Sequence, residues 1–302
     1  MDVSIIIVNY NTKALTQGCI NSIFEKTEDV SIEVILVDND STDGSVELFS
    51  ADSRIIFLPL NENVGFGKAN NAGLKRASGK YIFFLNSDTY LLNNAINEFF
   101  VFAEKHQKNN IGGIGCRLLK SDMSYCHSYA EFPSFWVELW KPIVLPISRV
   151  FGKTYQYLDK PEHNEHVFQV GYVTGADLFV SKEVIDRFGA FDPDFFMYYE
   201  ESEMQHRWTK SGYGSVIIST PKIVHLEGAS YGGNHVLERN VRKELQVMRS
   251  LLLFMKKTLN RPVYVLFRLL FFIVKLPFLV LSRLALREKL LYVKLICGHK
   301  II

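Results

Sequence analysis

The sequence predicts an α/β protein with a mostly parallel central sheet. Continuous apolar, β-branched runs recur at 3–11, 32–41, 54–60 and 80–88, as expected of strands covered on both faces. Helix-like stretches separate them, and strand–helix alternation builds parallel sheets with right-handed crossovers. Three of the runs end in an amide or a carboxylate: Asn9, Asp38 and Asp88. Parallel strands bring such ends to one edge, where open α/β sheets gather their ligands.

The elements follow in order. VSIIIVNYN (3–11) is the first strand and 13–27 reads as a helix. IEVILVDNDS (32–41) repeats the design, with a helix over 43–52. RIIFLPL (54–60) is a shorter strand, and the Gly- and Asn-rich NENVGFGKANNAG (61–73) leads into a helix over 65–78. KYIFFLNSD (80–88) is the fourth strand, followed by a helix over 93–108. The second half changes character. YVTGADLFVS (172–181) reads as a strand. FFMYYEESEMQHRWTKSGYG (195–214) enters a helix that closes on Gly212, with Glu200, Glu201 and Glu203 near its start, where carboxylates suit the helix dipole. GSVIISTPKIVHLEGAS (214–230) offers two short strands around Pro221. From about 236 the chain reads as helices, with breaks expected near Pro262 and Pro277.

At 302 residues, 48% hydrophobic and 22% charged, the chain supports a packed core and excludes wholesale disorder. Cys19, Cys116, Cys126 and Cys297 lack metal-ligand spacing and read as reduced, mostly buried thiols. The opening MDVSIIIVNYN runs straight into a strand, so a cytoplasmic protein is expected. Charge is unevenly placed. Residues 1–238 hold 20 Lys+Arg against 30 Asp+Glu, and residues 239–302 hold 14 against 2. A basic tail points to an anionic surface. This one is rich in Leu, Phe, Val and Ile, which fits a membrane surface and not a nucleic acid. Within it Arg261, Arg268, Lys275 and Ser282 recur every seven residues, with Arg283 adjacent. That spacing predicts a helix lying in the membrane interface with its polar face to the water. A spanning helix would carry Arg268 and Lys275 into hydrocarbon.

Several constellations can carry chemistry. Asn9, Asn11, Asp38 and Asp40 follow the first two strands and could bind the edge of a base and a ribose hydroxyl; the same residue types also cap turns. Gly65-x-Gly67 lacks the third glycine of a dinucleotide fingerprint, though a helix starting near Gly65 can face a phosphate. Asp88 beside a diphosphate makes sense with a divalent cation between them, and His225 could be a further ligand. Glu200, Glu201 and Glu203 could supply the carboxylate that deprotonates a sugar hydroxyl, or simply charge a first helical turn.

The stretches SIIIVNYN, VDNDSTDGS, NVGFGKANNAG, FFLNSDT, GADLFVSKEVIDRFGAFDPDFFMYYEESEMQHRW and IVHLEGAS, in this order and spacing over residues 3 to 230, resemble a family 2 glycosyltransferase with the GT-A fold. The similarity is to the rhamnosyltransferase-like branch of bacterial surface-polysaccharide assembly. It implies an inverting transfer of a sugar from a nucleotide-diphosphate donor, dTDP-rhamnose or a UDP-hexose, to a glycan or lipid-linked acceptor. It implies a GT-A domain over 1–235, with a nucleotide-binding half at 1–100 and an acceptor half at 101–235. Residues 236–302 would then be a helical, membrane-associating extension that holds the protein peripherally on the inner face of the cell membrane. By resemblance Asp38 contacts the base beyond the Asn9–Asn11 turn, and Asn63, Gly65 and Asn70 line the nucleotide site. Asp88 matches the last acid of the D-x-D element, which holds the metal, Mg2+ or Mn2+, and the diphosphate. Glu201 matches the general base, Glu200 is its neighbour, and His225 matches a metal-binding histidine of some members. Gly175, Ala176 and Asp177 fall on the acceptor side. Two departures stand out. Asn86 replaces the first D-x-D acid, and QHRW (205–208) is one residue short of the processive Q-x-x-R-W, which points to transfer of one or a few sugars. Two other readings are an inactive membrane adaptor that keeps the fold, and a sugar-nucleotide pyrophosphorylase. The latter needs a Gly-rich basic loop that NYNTKALTQG does not supply.

Overall fold

The computed structural model describes residues 1–150, 166–226, 236–282 and 284–298, with side chains described outside 145–150 and 236–240. The second half of IVHLEGAS, the expected boundary at 235/236 and Arg283 lie outside the described residues. The chain divides into two units. The first comprises residues 1–131, 166–196 and 200–226, and the second comprises 132–150, 197–199, 236–282 and 284–298. Residues 132–150, which show no marked sequence signal, thus belong with the C-terminal helices.

The first unit is a layered α/β sheet. Strands β1 (Val3–Asn9), β2 (Ile32–Asp38), β3 (Ile55–Pro59) and β4 (Tyr81–Asn86) run parallel in the order β3-β2-β1-β4. Helices α1 (Lys13–Lys26), α2 (Ser45–Ser50) and α3 (Phe66–Leu74) connect them. The strands are apolar on both faces because both faces are covered: Ile5, Ile7 and Phe83 pack into one core cluster, and Ile6, Ile35 and Phe84 into another. A β5 strand (Thr89–Leu91) follows, then α4 (Ala95–Lys105) and β6 (Ile111–Cys116). The short strands β7 (Tyr129–Ala130) and β9 (Tyr172–Val173) pair antiparallel. The sheet continues from β4 through β10 (Asp177–Ser181), β6, β11 (Gly214–Ile218) and β8 (Val167–Val170). Among its eight described strands only β10 and β8 run against the rest. The expected single strand over 172–181 is therefore two, split at Thr174–Ala176. Helices α6 (Lys182–Phe188) and α7 (Glu200–Lys210) precede β11, and β12 (Ile223–His225) pairs with β5.

The second unit is helical: α5 (Phe135–Val150), α8 (Val236–Thr258), α9 (Arg261–Leu281) and α10 (Leu286–Ile296). The break near Pro262 is real, since the proline sits in the first turn of α9, behind the Asn260 cap. The break expected near Pro277 is absent, and α9 runs on to Leu281. Of its seven-residue polar stripe Arg261 is exposed, but Arg268, Lys275 and Ser282 face the opposite way from expectation. Arg268 donates from Nε to the Ile296 carbonyl at 2.8 Å. Lys275 lies over the Phe271 and Phe278 rings, with the Glu244 and Glu138 carboxylates attracting it. Ser282 donates back to the Leu279 carbonyl at 3.0 Å. These charges find protein partners, and they share the side of the helix that buries Phe267, Phe271 and Leu279.

Candidate active site

The ends of β1, β2 and β4 meet at one edge, as their parallel pairing requires. Asn9 is wholly consumed there. Its Nδ2 donates to Asp38 Oδ1 at 2.7 Å and Ser41 Oγ at 2.9 Å. Its Oδ1 accepts from Thr12 Oγ1 at 2.8 Å and Thr16 Oγ1 at 2.7 Å. Asp38 Oδ2 accepts from the Ser41 amide at 2.9 Å. Both residues are fully buried. Through these bonds Asn9 and Asp38 fix the 39–42 loop from within. Asp40 on that loop and Asn11, just after β1, are exposed in the left-handed region, at φ +72° and +55°. Asn11 Oδ1 accepts from the Thr42 amide at 2.7 Å.

Asn39, which sequence reasoning passed over, ties this loop to the next. Its Nδ2 donates to Asn63 Oδ1 at 3.0 Å, and its Oδ1 accepts from the Val64 amide at 3.0 Å. Asn63 Oδ1 also accepts from the Gly65 amide at 3.0 Å. Gly65 has φ +87°, and a Cβ there would fall 2.2 Å from the Phe196 carbonyl oxygen, which the Phe66 amide bonds at 2.8 Å. The first amide of α3 is thus already occupied. Asn70, on α3, is buried, and its Oδ1 has no hydrogen-bond partner among the described residues.

Asp88 and His225 come together. Antiparallel pairing of β12 with β5 sets His225 opposite Thr89. The Leu226 amide donates to the Asp88 carbonyl at 2.9 Å. His225 Nε2 then lies 3.2 Å from Asp88 Oδ1 and 3.5 Å from Asn86 Nδ2. Among the described residues no group of three His, Cys, Asp or Glu side chains converges. One carboxylate and one imidazole nitrogen nevertheless fit a Mg2+ or Mn2+ ion whose remaining ligands are substrate oxygens and water. Asn86 adds an amide where a second carboxylate would raise the charge.

Glu200 and Glu201 open α7. Tyr198 and Tyr199 immediately precede them at φ +69° and +65°, a costly conformation for aromatic residues that clusters at functional sites. Glu200 is buried, and its Oε2 has no hydrogen-bond partner among the described residues. Burial, and then repulsion from Glu201, hold its carboxyl well above the usual range. Glu201 is half-buried, and desolvation pushes it up to about 7. Glu203 is different. It forms a two-pronged ion pair with Arg207 Nε at 2.9 and 3.0 Å. The rest of QHRW is structural too: Gln205 bonds both backbone groups of Val173, and Trp208 Nε1 donates to the Gly189 carbonyl at 3.2 Å.

Gly175, Ala176 and Asp177 link the two acidic centres. A Cβ on Gly175 would meet the Phe66 ring at 3.2 Å and Glu201 Cβ at 3.9 Å. The Ala176 carbonyl accepts from the Asn86 amide at 3.0 Å. Asp177, expected on the acceptor side, is fully buried and presents no surface to a ligand. Its Oδ2 accepts from the Cys116 amide at 2.6 Å, and its Oδ1 has no hydrogen-bond partner among the described residues. Burial raises its carboxyl to about 8.

Comparison with known proteins agrees with this arrangement. The profile of glycosyl transferase family 2 matches residues 4–125. The O-antigen biosynthesis protein RfbC of Myxococcus xanthus is 27% identical over 241 residues, 76% of this chain and 17% of that protein. The UDP-Glc:alpha-D-GlcNAc-diphosphoundecaprenol beta-1,3-glucosyltransferase WfaP of Escherichia coli is 38% identical over 104 residues, 34% of this chain and 41% of that protein. The chain thus spans less than half the length of either relative. The mannosyltransferase PcManGT from Pyrobaculum calidifontis, solved with GDP-Man and Mn2+, superposes with a TM-score of 0.56 at 15% identity, covering 97% of this chain and 78% of that one. The shared architecture is the GT-A fold. Residues 4–125 thus match the glycosyl transferase family 2 domain, and the chain carrying them has the GT-A fold.

Proposed function

We propose that the protein transfers a sugar, with inversion, from a nucleotide-diphosphate donor to a glycan or lipid-linked acceptor in surface-polysaccharide synthesis. The observation that carries this is the Gly175–Asp177 tripeptide, which abuts Glu201 at one end and hydrogen-bonds the Asn86 backbone through its middle residue. It links a carboxylate raised to about 7 to the end of β4, which Asp88 follows and which His225 of β12 approaches. Glu201 takes the proton from the acceptor hydroxyl as that oxygen attacks the anomeric carbon. A carboxylate with such a pKa is charged enough to act near neutrality and basic enough to hold the proton. Glu200, its buried neighbour, has its carboxyl held well above the usual range, which favours the neutral form and lessens negative charge beside Glu201. Asp38 and Asn9 hold the 39–42 loop, leaving Asn11, Asp40 and Asn63 to meet the nucleotide. Asp88 and His225 would hold the divalent cation, whose chemistry when bound is to neutralise charge on the departing diphosphate.

The activity of WfaP, on a diphosphoundecaprenol-linked sugar, supports a lipid-linked acceptor here. With the basic, apolar region 236–302, it supports peripheral attachment to the cytoplasmic face of the cell membrane. A thermal-shift panel of nucleotide-diphosphate sugars, each run with Mn2+ and with chelator, tests the donor reading. The matching donor should raise Tm, and more so with metal. A panel with no stabilising donor in either condition rejects the donor class, and equal stabilisation under chelator rejects the metal role.

A further inference from the structure

Helix α9 presents one uninterrupted apolar face to its surroundings. Pro262, Val265, Leu266, Leu269, Ile273, Leu276 and Val280 are all exposed. At 100° per residue they fall within an arc of about 100°. The stripe from Val265 to Val280 is about 22 Å long at 1.5 Å per residue. No charge interrupts it, because Arg268 and Lys275 are engaged on the other side of the helix. Val280 is 65% exposed and Leu281 83%, values that a soluble helix rarely keeps for aliphatic side chains.

A second stripe lies on α5. Trp136, Trp140 and Ile143 are 65%, 55% and 37% exposed and sit at i, i+4 and i+7, one face of the helix. The acid on this helix, Glu138, is buried and pairs with Lys141. The two helices pack on each other: the Phe135 ring lies 5.6 Å from Phe267 and 5.0 Å from Trp136.

Resting on the peripheral-membrane reading above, we infer that the lipid-contacting surface is composite. It is formed by the outer stripe of α9 together with the tryptophan stripe of α5, which lies outside residues 236–302. Its partner is an anionic bilayer surface. Tryptophan favours the bilayer interface, where its ring is buried and its N–H stays wet. Lys256, Lys257 and Arg261 are exposed just before the apolar stripe, and Arg287 and Lys294 just after it. Such flanking cations are drawn to anionic headgroups and would repel a second copy of the same face. Helix α9 is long and apolar enough to cross a membrane by length and composition. An in-plane position suits it better, because its inner face is already packed, with Phe267 and Phe271 buried against protein and Arg268 bonded to α10.

The sequence contains three tryptophans, and the third, Trp208, is fully buried in the first unit. Quenching by lipid-borne bromine therefore reports on the exposed tryptophans of α5, over a constant emission from Trp208. The full-length protein is mixed with phosphatidylglycerol–phosphatidylcholine vesicles carrying bromine at shallow or deep acyl positions. Quenching is expected, stronger from the shallow position, and lost in the Trp136→Phe/Trp140→Phe variant. The Leu269→Asp/Ile273→Asp variant, altered only at exposed positions, should keep its melting curve while its vesicle partitioning falls about tenfold or more. Vesicle binding without tryptophan quenching, or undiminished binding of the aspartate variant, overturns the composite surface and leaves peripheral attachment standing. Failure of the wild type to bind anionic vesicles overturns both. A defined dimer that shields the tryptophans without lipid assigns the surface to a second copy and also overturns the inference.

Discussion

Glu201 and Asp177 are both carboxyls raised by burial, but one can reach solvent and the other cannot. Glu201 lies half-buried at the start of α7, so its raised pKa serves proton transfer. Glu201→Gln should leave donor binding intact by calorimetry while turnover falls about 10²-fold or more, the usual worth of a general base. In the wild type, kcat/KM should rise with pH through about 7, as the base loses its proton. Near-normal turnover of the variant would remove Glu201 from the reaction. Asp177 has no such exposure, and its effect belongs to stability. Its folded pKa of about 8 lies above its ordinary value of 3.8, so the folded chain holds this proton more tightly than the unfolded one. The resulting stabilisation is full below 3.8 and is lost as pH rises toward 8. Asp177→Asn, which cannot ionise, should therefore gain in Tm relative to the wild type between pH 5 and pH 9. A Tm difference that does not change with pH would show that Asp177 ionises in the folded chain as readily as in the unfolded one, its charge matched by a partner.

Helix α3 shows how an element's start can be tied to another segment. Gly65 caps it at φ +87° with no room for a side chain, because the Phe196 carbonyl takes the Phe66 amide from that side. Gly212 has nearly the same φ, +88°, with nothing within 4 Å of an added Cβ. The pair separates conformational strain from steric collision. Gly212→Ala should cost about 1–2 kcal/mol, the left-handed penalty alone. Gly65→Ala should cost roughly 3 kcal/mol or more, since overpacking adds to strain. Urea titration of both variants checks this, and equal losses would mean that the Phe196 segment yields without cost. The β5–β12 pair plays a similar part, because three residues of antiparallel pairing bring His225 to Asp88.

Along the chain, charge is unevenly divided, and the basic end carries a long exposed apolar face. Residues 1–238 carry more acids than bases, whereas residues 239–302 hold 14 bases against 2 acids and include the exposed face of α9. Attachment that is part electrostatic and part apolar should be reversible. In cell fractionation the full-length protein should sediment with membranes, and high salt or alkaline carbonate should release much of it. Complete resistance to both treatments would indicate a spanning helix, and a wholly soluble protein would end the membrane reading.

Some of this was legible in the sequence by itself. The strands β1 to β4 and the residues at their ends could be read because a strand buried on both faces must be apolar throughout, so a polar residue at its end is conspicuous. The acidic pair at the start of α7 was visible for the same local reason. Other features depended on groups far apart in the chain. The pairing of Asn9 with Asp38 across two strand ends, which braces the 39–42 loop, joins residues 29 positions apart. The β5 strand, only three residues long, gave little signal until β12 paired with it. The polar heptad of α9 was correctly read as one face, but periodicity gives the faces of a helix without saying which one meets the protein. The Ile296 carbonyl and the Glu138 and Glu244 carboxylates decided that, drawing Arg268 and Lys275 inward and leaving the apolar stripe outside. Periodicity is a property of neighbours in the chain, whereas orientation depends on partners that only the folded chain brings within reach.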